Sequence, residues 1–215
     1  VYVLQLLKST VITIAAHYRE EIMEKIIIGL VGRMGSGKST VSEIILERRE
    51  GVIFKFSDVL YDTLGLYGLE RSTKNLQLLS TMLRQNFGEN LLANVMAKKI
   101  RDTAAELVVV DGVRREVDVA ALKDLEDKNI RFVLFFIHRS QQDRFNTIQE
   151  NRNEKTDDKT TWEEFQEKDT QECESQIGML RYIPNIYTCD VDNNGDLEQL
   201  KGEVETKLQE IISKI

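Results

Sequence analysis

Proline is almost missing from this chain of 215 residues, which has one, and cysteine and histidine occur only twice each. One proline and twelve scattered glycines leave no proline-rich linker and no low-complexity boundary between domains. The two cysteines, Cys173 and Cys189, are too few for a disulfide scaffold and lack metal-ligand spacing. Idle or buried thiols in a reducing, cytoplasmic setting are the expectation. Positive charge is also in short supply. Twenty-nine Lys and Arg against 36 Asp and Glu give a net charge of −7, which argues against a nucleic-acid partner. A small anionic ligand needs only a local basic pocket and is not excluded. Long apolar runs are missing too: Val1 to Ala16 is interrupted by Gln5, Lys8, Ser9 and Thr10, too short and broken to span a membrane. It also lacks the basic start and small-residue cleavage pattern of a secretory signal. Residues 1–22 therefore read as an extension of low functional content, with a docked N-terminal helix as the alternative. Residues 23–215 read as a single domain starting near Met23-Glu24-Lys25. Nothing in the pattern fixes an oligomeric state.

What the chain does have is Gly32-Arg33-Met34-Gly35-Ser36-Gly37-Lys38-Ser39, a full match to G-x-x-x-x-G-K-[ST]. The apolar run Lys25 to Val31 leads into it and the helical pattern Thr40 to Arg49 leads out. Strand, glycine-rich turn and helix together aim successive backbone N–H groups at a phosphate. The glycines allow a close approach, and the helix N-terminus adds partial positive charge. In this arrangement Lys38 reaches the β- and γ-phosphates of a bound triphosphate, and the Ser39 hydroxyl takes a place on Mg²⁺. Residues 32–40, through Thr40, form the expected ATP seat.

Five apolar runs read as strands: Ile26–Val31, Val52–Phe56, Leu107–Val110, Phe132–Ile137 and Ile186–Val191. Several are continuous rather than alternating, as strands covered on both faces are. Helical patterns fill the gaps at Thr40–Arg49, Val59–Leu64, Thr73–Phe87, Glu89–Thr103, Glu116–Asp127, Gln141–Asn151, Trp162–Leu180 and Asp196–Ile212. The alternation predicts an α/β fold with a mostly parallel sheet covered on both sides. Ligands of such sheets bind at the carboxyl ends of the strands, so residues just after strand ends carry the most information.

Asp58 follows the second strand and offers a carboxylate toward the phosphates, with Ser57 as a helix cap beside it. Asp111 ends the third strand, where a carboxylate supports the Mg²⁺ shell in phosphate-loop proteins. Hydrolytic ATPases commonly place a glutamate directly after this aspartate. Here Gly112-Val113-Arg114-Arg115 follows, which fits a site that admits a second substrate and clamps its anionic group. Arg84, near the end of the Thr73–Phe87 helix, is a second candidate for that clamp or an ordinary complement to the helix dipole. The polar run Asn151 to Thr161 reads as a mobile loop, and Arg144 and Arg152 are positioned to face the triphosphate when it closes. Asn194, in Asp192-Asn193-Asn194-Gly195-Asp196, is a turn or N-cap residue or a contact for the adenine. No [NT]-K-x-D guanine-reading segment occurs.

IIIGLVGRMGSGKSTVSEII, Phe56-Ser57-Asp58, VVVDGVR and DNNGDLEQL, in that order, resemble the small P-loop kinases. These include the nucleoside and deoxynucleoside monophosphate kinases and the dephospho-coenzyme A kinases. The resemblance covers residues 25–212. It implies a three-layer α/β/α fold with five strands in the order 2-3-1-4-5, a helical acceptor insert at about 59–104 and a lid at about 139–180. It implies ATP and Mg²⁺ as cofactors and a small phosphorylated acceptor as partner. By the same likeness Lys38, Asp58, Arg114, Arg144 and Arg152 are catalytic, and Asp58, Arg84 and Arg114 bind the acceptor. Ser39 and Asp111 serve the metal. The rival expectation is an ATP-binding switch that acts through a protein partner.

Overall fold

The computed structural model describes residues 25–150, 161–170 and 176–213. Arg152, Cys173, the extension over residues 1–22 and nearly all of the polar loop lie outside them. The described chain runs β1 (Lys25–Val31), α1 (Lys38–Arg48), β2 (Val52–Lys55), α2 (Phe56–Leu66), α3 (Thr73–Phe87), α4 (Leu91–Asp102) and β3 (Leu107–Asp111). It continues with α5 (Glu116–Lys123), β4 (Ile130–His138), α6 (Gln141–Glu150), α7 (Trp162–Asp169), a 3₁₀ helix (Gln176–Tyr182), β5 (Tyr187–Asp192) and α8 (Leu197–Ile212).

The five strands form one sheet in the order β2-β3-β1-β4-β5, every pair parallel. This is the predicted topology. Isoleucine, valine and leucine dominate β1 and β3 because both faces are covered. Ile27, Val108, Val110, Phe132 and Leu134 pack under α4 and α5 on one side. Ile28, Leu30, Val109, Val133 and Phe135 pack under α1 and α8 on the other. Burying side chains of this size stabilises by about 1.5–3 kcal/mol each, so these two half-cores hold the sheet rigid. The register sets Leu30 opposite Asp111, Asp111 opposite Lys55, and His138 opposite Asp192. The carboxyl ends of all five strands thus share one edge, and the phosphate loop leaves from its middle strand.

Most boundaries fall within two residues of the sequence reading, and three elements differ more. β2 passes straight into α2 at Phe56, so Lys55 holds the N-cap position and Ser57 does not cap. α5 stops at Lys123, short of Asp127, because the chain turns there to feed β4. The single helix expected over Trp162–Leu180 is instead α7, which ends at Asp169, and a separate 3₁₀ segment. Thr170 closes α7 by returning its hydroxyl to the Glu167 carbonyl at 2.8 Å.

Candidate active site

The phosphate loop is shaped by contacts that a side chain at any of its glycines would spoil. Gly35 and Gly37 have φ of +77° and +93°, a region L side chains rarely adopt. A Cβ on Gly35 would meet the Arg144 carbonyl oxygen at 2.6 Å, and one on Gly37 would meet Asn193 Nδ2 at 2.2 Å. A Cβ on Gly32 would meet Ser36 Oγ at 2.5 Å. Ser36 N–H donates to the Arg33 carbonyl at 3.1 Å and closes the turn.

Lys38 folds back over this turn, its Nζ donating to the Gly32 carbonyl at 2.7 Å and the Arg33 carbonyl at 3.1 Å. Gly37 is the N-cap of α1, no side chain caps that end, and no acid occupies its first turn. The helix N-terminus turns its opening N–H groups and its dipole toward the loop, an arrangement that favours an anion. Ser39 is exposed in this first turn and Thr40 half-buried behind it.

On the β3 side, Asp111 sits at the strand end with Oδ1 buried and without a hydrogen-bond partner among the described residues. Gly112, at φ +90°, then turns the chain toward Arg114 and Arg115. A buried carboxylate oxygen left without a donor is costly, and a divalent cation or its bound water would satisfy it. Among the described residues no three His, Cys, Asp or Glu side chains converge into a metal site. A cation here would therefore lean on a ligand's phosphates, as Mg²⁺ does in nucleotide sites. Ser39 and Asp111 fit that role.

Asp118 is buried beneath this turn and accepts from the N–H groups of Arg114 and Arg115, both at 3.1 Å. Burial pushes its carboxyl above the usual range, against the pull of those N–H groups and of the Arg84 and Arg115 charges. Arg115, which the sequence did not single out above Arg114, pairs with Glu89 at 2.8 Å. Arg84 lies 3.9 Å from the same carboxylate and also bonds Ser80 Oγ. Its Nε is buried without a hydrogen-bond partner among the described residues. Burial, and then the neighbouring Arg115 charge, lower the pKa of Arg84. Asp58, at the next strand end, turns back on its own helix and accepts from Lys55 N–H at 3.3 Å. The cap expected of Ser57 is thus supplied by Asp58.

The β4 side departs most from expectation. Arg144 does not face the open phosphate seat: it is buried, and its NH1 and NH2 bond the two oxygens of Asp169 at 2.6 and 2.7 Å. NH1 also donates to the Met34 carbonyl of the phosphate loop at 3.2 Å. Arg33 reaches the same aspartate at 3.1 Å, as does Gln141 Nε2. Burial alone would raise the Asp169 carboxyl, but the Arg144 hydrogen bonds and charge, with Arg33 and Gln141, hold it below the usual range. Phe145, Trp162 and Phe165 pack as an aromatic trio with centroids 5.1–5.7 Å apart, tying α7 to α6.

Asn194, expected in a turn or against the adenine, makes a tie within the strand-end turns. Its Oδ1 accepts from Ser140 N–H at 2.7 Å and ties the β5 turn to the β4 turn. The neighbouring Asn193, 7% exposed, reaches the loop instead, and Nδ2 donates to the Ser36 carbonyl at 2.9 Å. Asn193 and Asp169 are the residues sequence reasoning missed.

Several solved structures with this architecture are kinases by name. The fold is similar to a gluconokinase from Sinorhizobium meliloti at TM-score 0.51 and 17% identity, over 89% of this chain and 94% of that one. It is similar to a deoxyadenosine kinase from M. mycoides at TM-score 0.50 and 16% identity, over 86% and 98%. These likenesses show the fold alone, a parallel α/β sheet of order 2-3-1-4-5 with the phosphate loop leaving its middle strand, as in P-loop kinases. In sequence, residues 31–166 match the AAA domain family. The chain is 30% identical to the UPF0200 protein TK1334 of Thermococcus kodakarensis over 88% of this chain and the whole of that protein. It is 32% identical to a UPF0200 protein of Methanosarcina mazei over 83% and 91%. A phosphate loop at the centre of a 2-3-1-4-5 sheet, matched along nearly the full length of these relatives, makes this chain a member of the UPF0200 family.

Proposed function

We propose that the protein is an ATP-dependent phosphotransferase that moves the γ-phosphate of Mg-ATP to a small phosphorylated acceptor. A (deoxy)nucleoside monophosphate or dephospho-coenzyme A is the acceptor class that its motifs resemble. The observation that carries this reading is Asp111 Oδ1, buried and unpartnered at the strand end beside the phosphate loop, followed by glycine and arginine rather than glutamate.

The Lys38 ammonium would exchange its two loop carbonyls for β- and γ-phosphate oxygens, and the first turn of α1 would bind the rest of the chain of phosphates. Mg²⁺, held through Ser39 and Asp111, would supply charge neutralisation. Arg114 and Arg84, with Arg115 beside them, would grip the acceptor's anionic group, and Asp58 follows the adjacent strand end. Phosphoryl transfer asks for positioning and charge neutralisation more than covalent chemistry, and this set of residues provides both. Arg152 would join on closure. The test is ADP release by purified protein with Mg-ATP and a panel of nucleoside monophosphates, deoxynucleoside monophosphates and dephospho-coenzyme A. Acceptor-dependent ADP is the expected result, and none above background with any of them overturns the reading.

One observation favours a second reading, a nucleotide-dependent switch working through a protein partner. No residue of α3 is buried, and Leu66, Tyr67, Leu78, Met82 and Phe87 are exposed on α2, α3 and the turn between them. Slow ATP hydrolysis that a partner accelerates and no small acceptor affects would favour the switch.

A further inference from the structure

A cleft of about 400 Å³ opens on the β4 flank of the phosphate loop, between the ends of β1 and β4 and the 3₁₀ helix. Gly32, Ser36, Phe136, Arg139, Gly178 and Tyr182 are among its walls. Its volume falls within the ~300–1,000 Å³ of small-molecule sites.

Two polar atoms in those walls are buried and have no hydrogen-bond partner among the described residues: Ser36 Oγ and Arg139 Nε. Ser36 is 1% exposed, so bulk water does not serve it. A bond left unmade at a buried polar atom is costly, and two on one cleft call for a ligand that makes them. The other cations here are already committed. Arg33 and Arg144 hold Asp169, and Arg181 holds His138 Nε2 at 2.7 Å and the Asp190 carboxylate. Arg139 forms no ion pair among the described residues and is the cleft's surplus charge.

A guanidinium N–H can only donate, and a hydroxyl can donate alongside it, so the matching ligand atom is an anionic oxygen. Beside His138 and the committed Arg33, Arg144 and Arg181, the cleft is lined by apolar side chains, Phe136, Ile137 and Ile177, and by the Tyr182 ring. Ser36 Oγ lies against Gly32, on the side of the Ile137 carbonyl, since a Cβ on Gly32 would touch both at 2.5 and 3.0 Å. It thus faces the β1–β4 strand ends rather than the first turn of α1.

We propose that this cleft is a binding site for a small oxyanion-bearing molecule with a compact apolar body, separate from the triphosphate's seat on the loop. The oxyanion is bound by Arg139 and Ser36, and the apolar body lies between Phe136 and the 3₁₀ helix. The site borders Arg33 and Arg144, so its occupancy acts on the same loop that receives the nucleotide.

The experiment titrates the full chain with phenyl phosphate and with benzoate, following binding by calorimetry or NMR, with and without saturating Mg²⁺ and a non-hydrolysable ATP analogue. Saturable one-to-one binding that survives the analogue is expected, and the stronger of the two probes identifies a phosphate or a carboxylate ligand. The Cβ added in Gly178→Leu meets open space and its side chain fills the cleft. It is expected to weaken the probe about tenfold or more, as is Arg139→Gln, each leaving nucleotide affinity within about twofold. Absence of binding by both probes overturns the proposal. So does one-for-one displacement by the ATP analogue, which would make the cleft part of the triphosphate seat. Probe affinity unchanged in Arg139→Gln overturns it too, and that variant decides the question if Gly178→Leu does not fold.

Discussion

The two flanks of the phosphate loop handle positive charge in opposite ways. On the β3 flank, Arg84 and Arg115 share one half-exposed carboxylate, Glu89, with Asp118 buried below them. On the β4 flank, Arg144 and Arg33 are drawn onto a single buried carboxylate, Asp169. The first arrangement leaves two guanidinium groups against one exposed acid, which an incoming phosphate can displace. The second spends its cations on holding the loop in place. Arginine near a phosphate loop is therefore not evidence of phosphate contact. Its carboxylate partner, and how deeply that partner is buried, decides between gripping a ligand and bracing the protein.

Removing the brace is the strongest way to break this contrast. Asp169→Ala leaves Arg144 buried without its partner and is expected to cost about 3–5 kcal/mol in denaturant unfolding. Its titration has a definite sign. A carboxyl held below its unfolded value contributes stability that is present above the ordinary carboxylate range and is lost as pH falls through the lowered native value. Acid unfolding of wild type should therefore flatten in Asp169→Asn, which has nothing to titrate. An unchanged acid limb would show that other carboxylates carry it.

Lys38→Ala belongs to neither flank and is expected to lower phosphotransfer about 100-fold or more with the fold intact. Equal loss in the variant and in a Gly178→Leu control would mean that the assay reads stability rather than chemistry. Gly37→Ala forces a methyl group into Asn193 at a left-handed backbone position and is expected to cost about 1–3 kcal/mol and to weaken ATP binding. Melting temperatures with and without nucleotide separate the two effects. The smallest effect lies on the β3 flank. Asp58→Ala should cost about 1 kcal/mol as a lost cap, and Ser57→Ala under about 0.5 kcal/mol. The reverse order would restore Ser57 as the cap and release Asp58 for the acceptor.

The phosphate loop, the strand order and the carboxylate at the end of β3 were legible in the sequence because each is written locally, as a motif, an apolar run or a residue one step past a strand. What was not legible is written across distance. Asp169 is 25 residues from Arg144 and 136 from Arg33, and Asn193 is 157 from Ser36. No spacing rule links such positions, so Arg144 read as a cation in search of a phosphate when its partner lay on another helix. Asn193 and Asn194 show the limit at its finest. Successive residues leaving a strand point to opposite sides, so a register uncertain by one residue exchanges the loop contact for a surface tie. Likewise a helix start placed three residues late, at Val59 instead of Phe56, moved the cap of α2 from Asp58 to Ser57.

The Asn193 contact also sets an order of events during synthesis. The loop from Gly32 to Ser39 is complete within the first fifth of the chain, yet the amide that holds the Ser36 carbonyl arrives with the last strand. Domains emerge from the ribosome N-terminus first. A nascent chain halted before β5 carries every residue of the nucleotide-binding motif and lacks the stitch that fixes it. The motif made first therefore receives one of its holding contacts only when the last strand has been made.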